Sequence, residues 1–172
     1  MEIKLPADFK EFLNLLNNHR VEYLLIGGYA VSYHGYPRAT NDIDVWIAVH
    51  PDNATRMVAV LHEFGFSLAE ISAELFLKVP SIVRMGYPPM RIEVTTSISG
   101  VAFEQCYAER VVDTLDGVRV NIIGLAHLKQ NKQASGRLKD LADLENLPSL
   151  ILSVPVKHLS SFQLIARFGQ WC

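Results

Sequence analysis

Apolar side chains recur along the chain with two periods, which sort it into helices and strands. Residues 6–19 place Phe9, Phe12, Leu13 and Leu16 at helical spacing, and Pro6 suits a first turn. Residues 21–26 form a short apolar run cut off by Gly27 and Gly28, the pattern of a buried strand entering a tight turn. A short helix through Ala30 and Tyr33 follows and stops near Gly35 and Pro37. Residues 42–49 read as a second strand, and Pro51 opens a helix to about Glu63 with Met57, Val58 and Leu61 inward. Residues 76–79, 82–85 and 90–95 read as short strands, and 118–123 as another after the turn at Asp116 and Gly117. Residues 125–134 and 138–147 read as helices parted by Ser135 and Gly136. Helices interleaved with strands predict an α+β (α/β-like) domain, a mixed central sheet flanked by helices.

Composition narrows the class. The sequence has 172 residues, of which 49% are hydrophobic, 16 are Lys or Arg and 18 are Asp or Glu, for a net charge of −2. That apolar content excludes a disordered chain, and one domain of this size buries a core without disulfides or structural metal. Near-neutral charge argues against a protein that coats nucleic acid by charge alone. The N-terminal residues lack the basic-then-apolar order of a secretory signal, and no apolar run is long enough to span a bilayer. Cys106 and Cys172 form no CxxC pair. The expectation is a soluble, cytoplasmic protein with no membrane partner. The composition shifts once, because residues 148–172 contain no Asp or Glu.

The candidate chemistry lies between residues 27 and 44. On a strand, Asp42 and Asp44 share one face while Ile43 and Val45 take the other. Two such carboxylates repel each other unless a cation offsets them, and hard oxygen donors of this kind suit Mg²⁺ bound together with substrate phosphates. A solvent-facing strand with two exposed acids is the plainer alternative. Gly27 and Gly28, at a strand-to-helix turn, let a phosphate approach backbone N–H groups. A simple tight turn would look the same, and the pattern is neither GxGxxG nor a Walker loop. Residues 91–95 put Arg91, Glu93 and Thr95 on one face, with Ile92 and Val94 toward the core. Glu93 would supply a third acid for a two-metal phosphoryl-transfer clamp, or else pair with Arg91 at the surface.

Residues 23–30 (YLLIGGYA) and 35–45 (GYPRATNDIDV) together resemble the nucleotidyltransferase superfamily, the polymerase-beta-like fold. The pattern is similar to small stand-alone prokaryotic members, including the toxin halves of toxin–antitoxin pairs. Residues 88–94 (PPMRIEV) with 98–101 (ISGV) resemble the family's third-carboxylate strand and the loop after it. Residues 131–145 (NKQASGRLKDLADLE) resemble its C-terminal helix pair. The resemblance spans roughly residues 6–147, leaving a tail of unknown role over 148–172 that matches nothing in the family pattern.

The resemblance implies a nucleotidyltransferase fold that moves a nucleoside monophosphate from a triphosphate to an acceptor hydroxyl, with Mg²⁺ or Mn²⁺ as cofactor. It assigns metal binding and catalysis to Asp42, Asp44 and Glu93. It assigns nucleotide contacts to Gly27, Gly28, Arg38, Thr40 and Lys132. Arg137, Lys139 and Asp140 match the family pattern too, and the plainer reading is an ion-pair network that closes the helix onto the sheet. The acceptor could be tRNA or other RNA, a protein or a small molecule; a cognate antitoxin and a homo-oligomer are further possible partners. Glu93 stands where many members have Asp, a longer side chain that still reaches a metal. His34 is a conceivable base, more simply a structural histidine. Tyr29, Tyr33 and Tyr36 are conceivable base-stacking groups, more simply wall residues. A module that keeps the fold and binds nucleotide or protein without chemistry is the alternative from another class. Metal-assisted hydrolysis by the same acids is a third reading.

Overall fold

A computed structural model describes residues 3–67, 69, 71–87 and 90–150. The tail from 151 onward, Pro88 and Pro89 of the third-strand segment, and Cys172 lie outside the described residues.

The chain runs α1 (Ala7–Asn18), β1 (Tyr23–Ile26), α2 (Gly27–Tyr33), β2 (Asp42–Ile47), α3 (Pro51–Glu63), a 3₁₀ turn (Ala73–Phe76), β3 (Ile82–Met85), β4 (Arg91–Thr95), α4 (Phe103–Ala108), β5 (Val111–Leu115), β6 (Val118–Ile122), α5 (Leu125–Ser135) and α6 (Leu138–Asn146). The strands form one mixed sheet in the order β3-β4-β2-β1-β6-β5. β2 runs antiparallel to β1 and parallel to β4, while β6 runs parallel to β1. The architecture is α+β, as the periodicity predicts.

Sequence causes can be assigned element by element. The α1 face of Phe9, Phe12, Leu13 and Leu16 is fully covered, packing on α3 and β6. β1 sits mid-sheet with all four residues buried, which is why it reads as an unbroken apolar run. β2 and β4 alternate at their starts, so Ile43, Val45, Ile92 and Val94 enter the core and leave Asp42, Asp44, Arg91 and Glu93 on the opposite face. In α3, Met57 and Leu61 are buried and Val58 only partly. Asn53 is a buried polar group with a structural duty. Its side chain accepts from the Glu22 N–H and donates to the Glu22 and Ala48 carbonyls, tying α3 to the entry of β1 and the exit of β2.

Three elements differ from the periodicity reading. Residues 76–79 are not a strand. Phe76 alone is buried, closing the 3₁₀ turn, and Leu77 and Val79 face solvent. α4 and β5 are additional. β5 is an edge strand in which only Leu115 is buried, so it carries little apolar signal. Among the described residues no helix is long and apolar enough to cross a membrane.

Candidate active site

Strand register builds the site. β1 ends at Ile26 opposite Asp44, so the turn that follows sits directly above that aspartate. Parallel pairing of β2 with β4 sets Asp42 beside Arg91 and Asp44 beside Glu93. Antiparallel pairing of β3 with β4 then sets Arg84 beside Glu93. The three acids floor a cleft of about 510 Å³ whose lining includes Gly27, Gly28, Arg38, Thr40, Asp42, Asp44, Glu93 and Lys132. All eight residues singled out from the sequence therefore meet in one place.

Backbone closeness explains the glycine pair. Gly27 has φ +62°, and a Cβ there would stand 2.6 Å from Asp44 Cγ. A Cβ on Gly28 would stand 2.6 Å from Thr40 Oγ1. The Gly28 N–H pulls the Asp44 carboxyl downward in pKa. Thr40 donates its hydroxyl to the Asp42 carbonyl at 3.2 Å, bracing the start of β2.

The acids are not alike. Burial, then the charges of Glu93 and Asp42, push the Asp44 carboxyl up to about 6, against smaller opposing pulls from the Gly28 N–H and Lys132. Asp42 is gripped by Arg91, whose Nε and NH2 each lie 3.2 Å from a carboxylate oxygen. Glu93 takes a 2.9 Å bond from Arg84 Nε. The surface pairing of Arg91 with Glu93, the plainer alternative from the sequence, does not form; the register gives Arg91 to Asp42 across two strands.

Lys132 lies in the cleft wall but is 4% exposed, and its ammonium pairs with Asp140 and, at 2.9 Å, with Asp143. Asp143 also receives Arg38, through Nε at 2.8 Å and NH2 at 3.2 Å. Asp140 further accepts from Ser135 and from Arg137 Nε, the latter at 2.6 Å. Burial works to raise the Asp140 carboxyl, but the bonds from Lys132, Ser135 and Arg137 outweigh it and hold it at about 2. This is the ion-pair network that residues 137–140 admitted as one reading, although it joins α6 to α5 and to the loop before β2 rather than to the sheet. Lys139 lines the cleft.

Arg84 and the role of Asp143 escaped the sequence reading, and Arg91 was read beside Glu93 rather than Asp42. Asp143 stood within the matched helix segment, and only its partners were hidden. Arg84 gave no signal at all. His34 is no part of the cleft lining: its Nε2 lies 2.7 Å from the Ile123 carbonyl, and burial lowers its pKa against that bond. Nor do the three tyrosines line it. Tyr29 packs edge-on against Phe9, and the Tyr33 hydroxyl donates to Asp113.

The donor set can be tested for a divalent cation. Among the described residues, no three His, Cys, Asp or Glu side chains gather closely enough to hold a metal as they stand. The chemistry nonetheless fits. Three carboxylates share one face, and Asp44 resists ionisation partly because of its two acidic neighbours, a repulsion that a cation would relieve.

No family model matches this chain, and no curated protein matches it. Solved structures do. The fold is the nucleotidyltransferase fold. It is shared with a proposed nucleotidyltransferase from Thermotoga maritima, at a TM-score of 0.55 and 14% identity, covering 80% of this chain and 88% of that one. An antigenic nucleotidyltransferase-like protein from Paracoccidioides brasiliensis aligns at a TM-score of 0.47 and 18% identity, over 83% of this chain and 77% of that one.

Proposed function

We propose that this cleft transfers a nucleoside monophosphate from a nucleoside triphosphate to an acceptor hydroxyl. The acceptor oxygen forms a bond to the α-phosphorus, the bond from that phosphorus to the β-phosphate bridging oxygen breaks, and pyrophosphate leaves. The hydroxyl proton passes to solvent. One observation carries the reading: Asp44 and Glu93 lie side by side on neighbouring parallel strands, with Asp42 on the same face and the Gly27–Gly28 turn overhead.

Asp42, Asp44 and Glu93 would hold Mg²⁺ or Mn²⁺, which when bound supplies charge stabilisation at the reacting phosphate and a lowered pKa for the acceptor hydroxyl. Gly27 and Gly28 leave room for phosphates above the acids. Lys132 and Arg38 act as fixed positive charge rather than as mobile ligands, since Asp140 and Asp143 hold them in place. The acceptor class and a cognate antitoxin rest on the sequence resemblance alone. We take the domain to be residues 1–147, with α6 its last helix.

The test is incubation of the full chain with each α-labelled nucleoside triphosphate, Mg²⁺ or Mn²⁺ and cell extract, followed by sizing of the product. Label in RNA, protein or a small acceptor, lost in Asp44→Asn, is the expected result. Free labelled monophosphate would indicate hydrolysis instead. Nucleotide binding with no label moved would leave the non-catalytic module, a reading favoured by the arginines on Asp42 and Glu93.

A further inference from the structure

The acid face is partly neutralised from within. Three strands lay a row of Asp44, Glu93 and Arg84 beside the pair Asp42 and Arg91, so two guanidiniums stand against three carboxylates. The two pairs differ in grip. Arg91 engages both oxygens of Asp42, whereas Arg84, itself 58% exposed, reaches one oxygen of Glu93 through one nitrogen. A forked guanidinium–carboxylate pair leaves few lone pairs for another cation.

We propose that Arg91 is a positioning residue that competes with the divalent cation for Asp42. In the nucleotide-free protein it keeps both Asp42 oxygens engaged, while Arg84 holds a single oxygen of Glu93. The cleft therefore takes a cation weakly on its own and well only together with a nucleotide, whose phosphates give the displaced guanidinium a new anionic partner. The proposal deepens the reading given above and rests on the three acids being a metal site.

Mn²⁺ is the probe, titrated into the full chain without nucleotide and followed by the electron paramagnetic resonance signal of the free ion. Arg91→Gln should tighten Mn²⁺ binding roughly tenfold, as expected for losing one forked, half-exposed pair. Arg84→Gln should tighten it about two- to threefold, as for an exposed single-bonded pair. Arg91→Lys keeps the charge and loses the fork, and should retain part of the gain. Adding a nucleoside triphosphate should shrink the difference between wild type and Arg91→Gln.

An Arg91→Gln affinity equal to or below wild type, with Mn²⁺ binding present and abolished by Asp42→Asn, overturns the competition and leaves the proposed function standing. Arg91→Lys matching wild type while Arg91→Gln tightens would mean that bulk charge alone acts, and also overturns it. Absence of Mn²⁺ binding in every protein, with and without nucleotide, overturns the metal site itself and this inference with it.

Discussion

Asp44→Asn should make the protein more stable at neutral and alkaline pH. The ordinary carboxyl value is 3.8, and the folded protein pushes Asp44 to about 6 through burial and then the charges of Glu93 and Asp42. Below pH ~3 the group is protonated in both the folded and the unfolded chain, so it costs nothing. As pH rises toward 6 the unfolded chain gives up the proton while the folded chain keeps it, and stability falls. Above pH ~6 the full cost is carried, about 3 kcal/mol for roughly two pKa units. Asparagine has nearly the same shape, so the substitution removes the charge and little else. At pH 8 in a chelator, urea denaturation should show Asp44→Asn more stable by about 2–3 kcal/mol, or roughly 5–10 °C in a thermal melt. At pH ~3 the two proteins should nearly coincide. A variant no more stable at pH 8, or a gap independent of pH, would refute the account of Asp44. Because the variant folds better, its loss of nucleotidyl transfer could not be blamed on unfolding.

Two further substitutions probe the walls of the cleft. Asp143→Ala removes an aspartate that is 2% exposed and accepts from both Arg38 and Lys132; Lys132 keeps Asp140 while Arg38 loses its ion-pair partner. The expected loss is about 3 kcal/mol, the low end for breaking a buried pair, read as a lower urea midpoint at unchanged slope, and a loss under ~1 kcal/mol would contradict the network. Gly27→Ala forces a left-handed residue and places Cβ 2.6 Å from Asp44 Cγ and 2.9 Å from its Cβ, so a loss of about 2 kcal/mol or more is expected. In an Asp44→Ala background the Gly27→Ala penalty should shrink without vanishing, and a penalty unchanged between the two backgrounds would show that the clash is not with Asp44.

How far the sequence discloses this arrangement depends on which force writes each part. Burial writes apolar patterns, so β1, β2, β4, β6 and the long helices are legible from their side chains alone. β5 is hidden because an edge strand with one buried residue needs few apolar positions. Residues 76–79 mislead for the converse reason: a cluster of apolar side chains signals contact with a core, not pairing in a ladder, and here only Phe76 makes that contact. The acids were legible because strand alternation is local. Their partners were not, because register between strands is set by the whole sheet. Arg91 lies two positions from Glu93 in sequence yet belongs to Asp42, and Arg84 reaches Glu93 only through the β3–β4 pairing. Lys132 and Asp143 likewise meet only once α6 folds back along α5.

The order of the two walls along the chain bears on biosynthesis. The acids and the glycine turn lie within the first 93 residues, whereas Lys132, Asp140 and Asp143 follow β6, which is added alongside β1 through the register of Leu25 with Ile122. A ribosome therefore releases the acid floor, with its Arg84 and Arg91 pairs, well before the α5–α6 wall that completes the cleft. Until Asp143 has emerged, Arg38 has no carboxylate to hold it and Lys132 no buried place to sit. The nascent chain would carry its acid floor without the α5–α6 wall for the time taken to make about fifty residues, so the cleft is the last part of the fold to be completed.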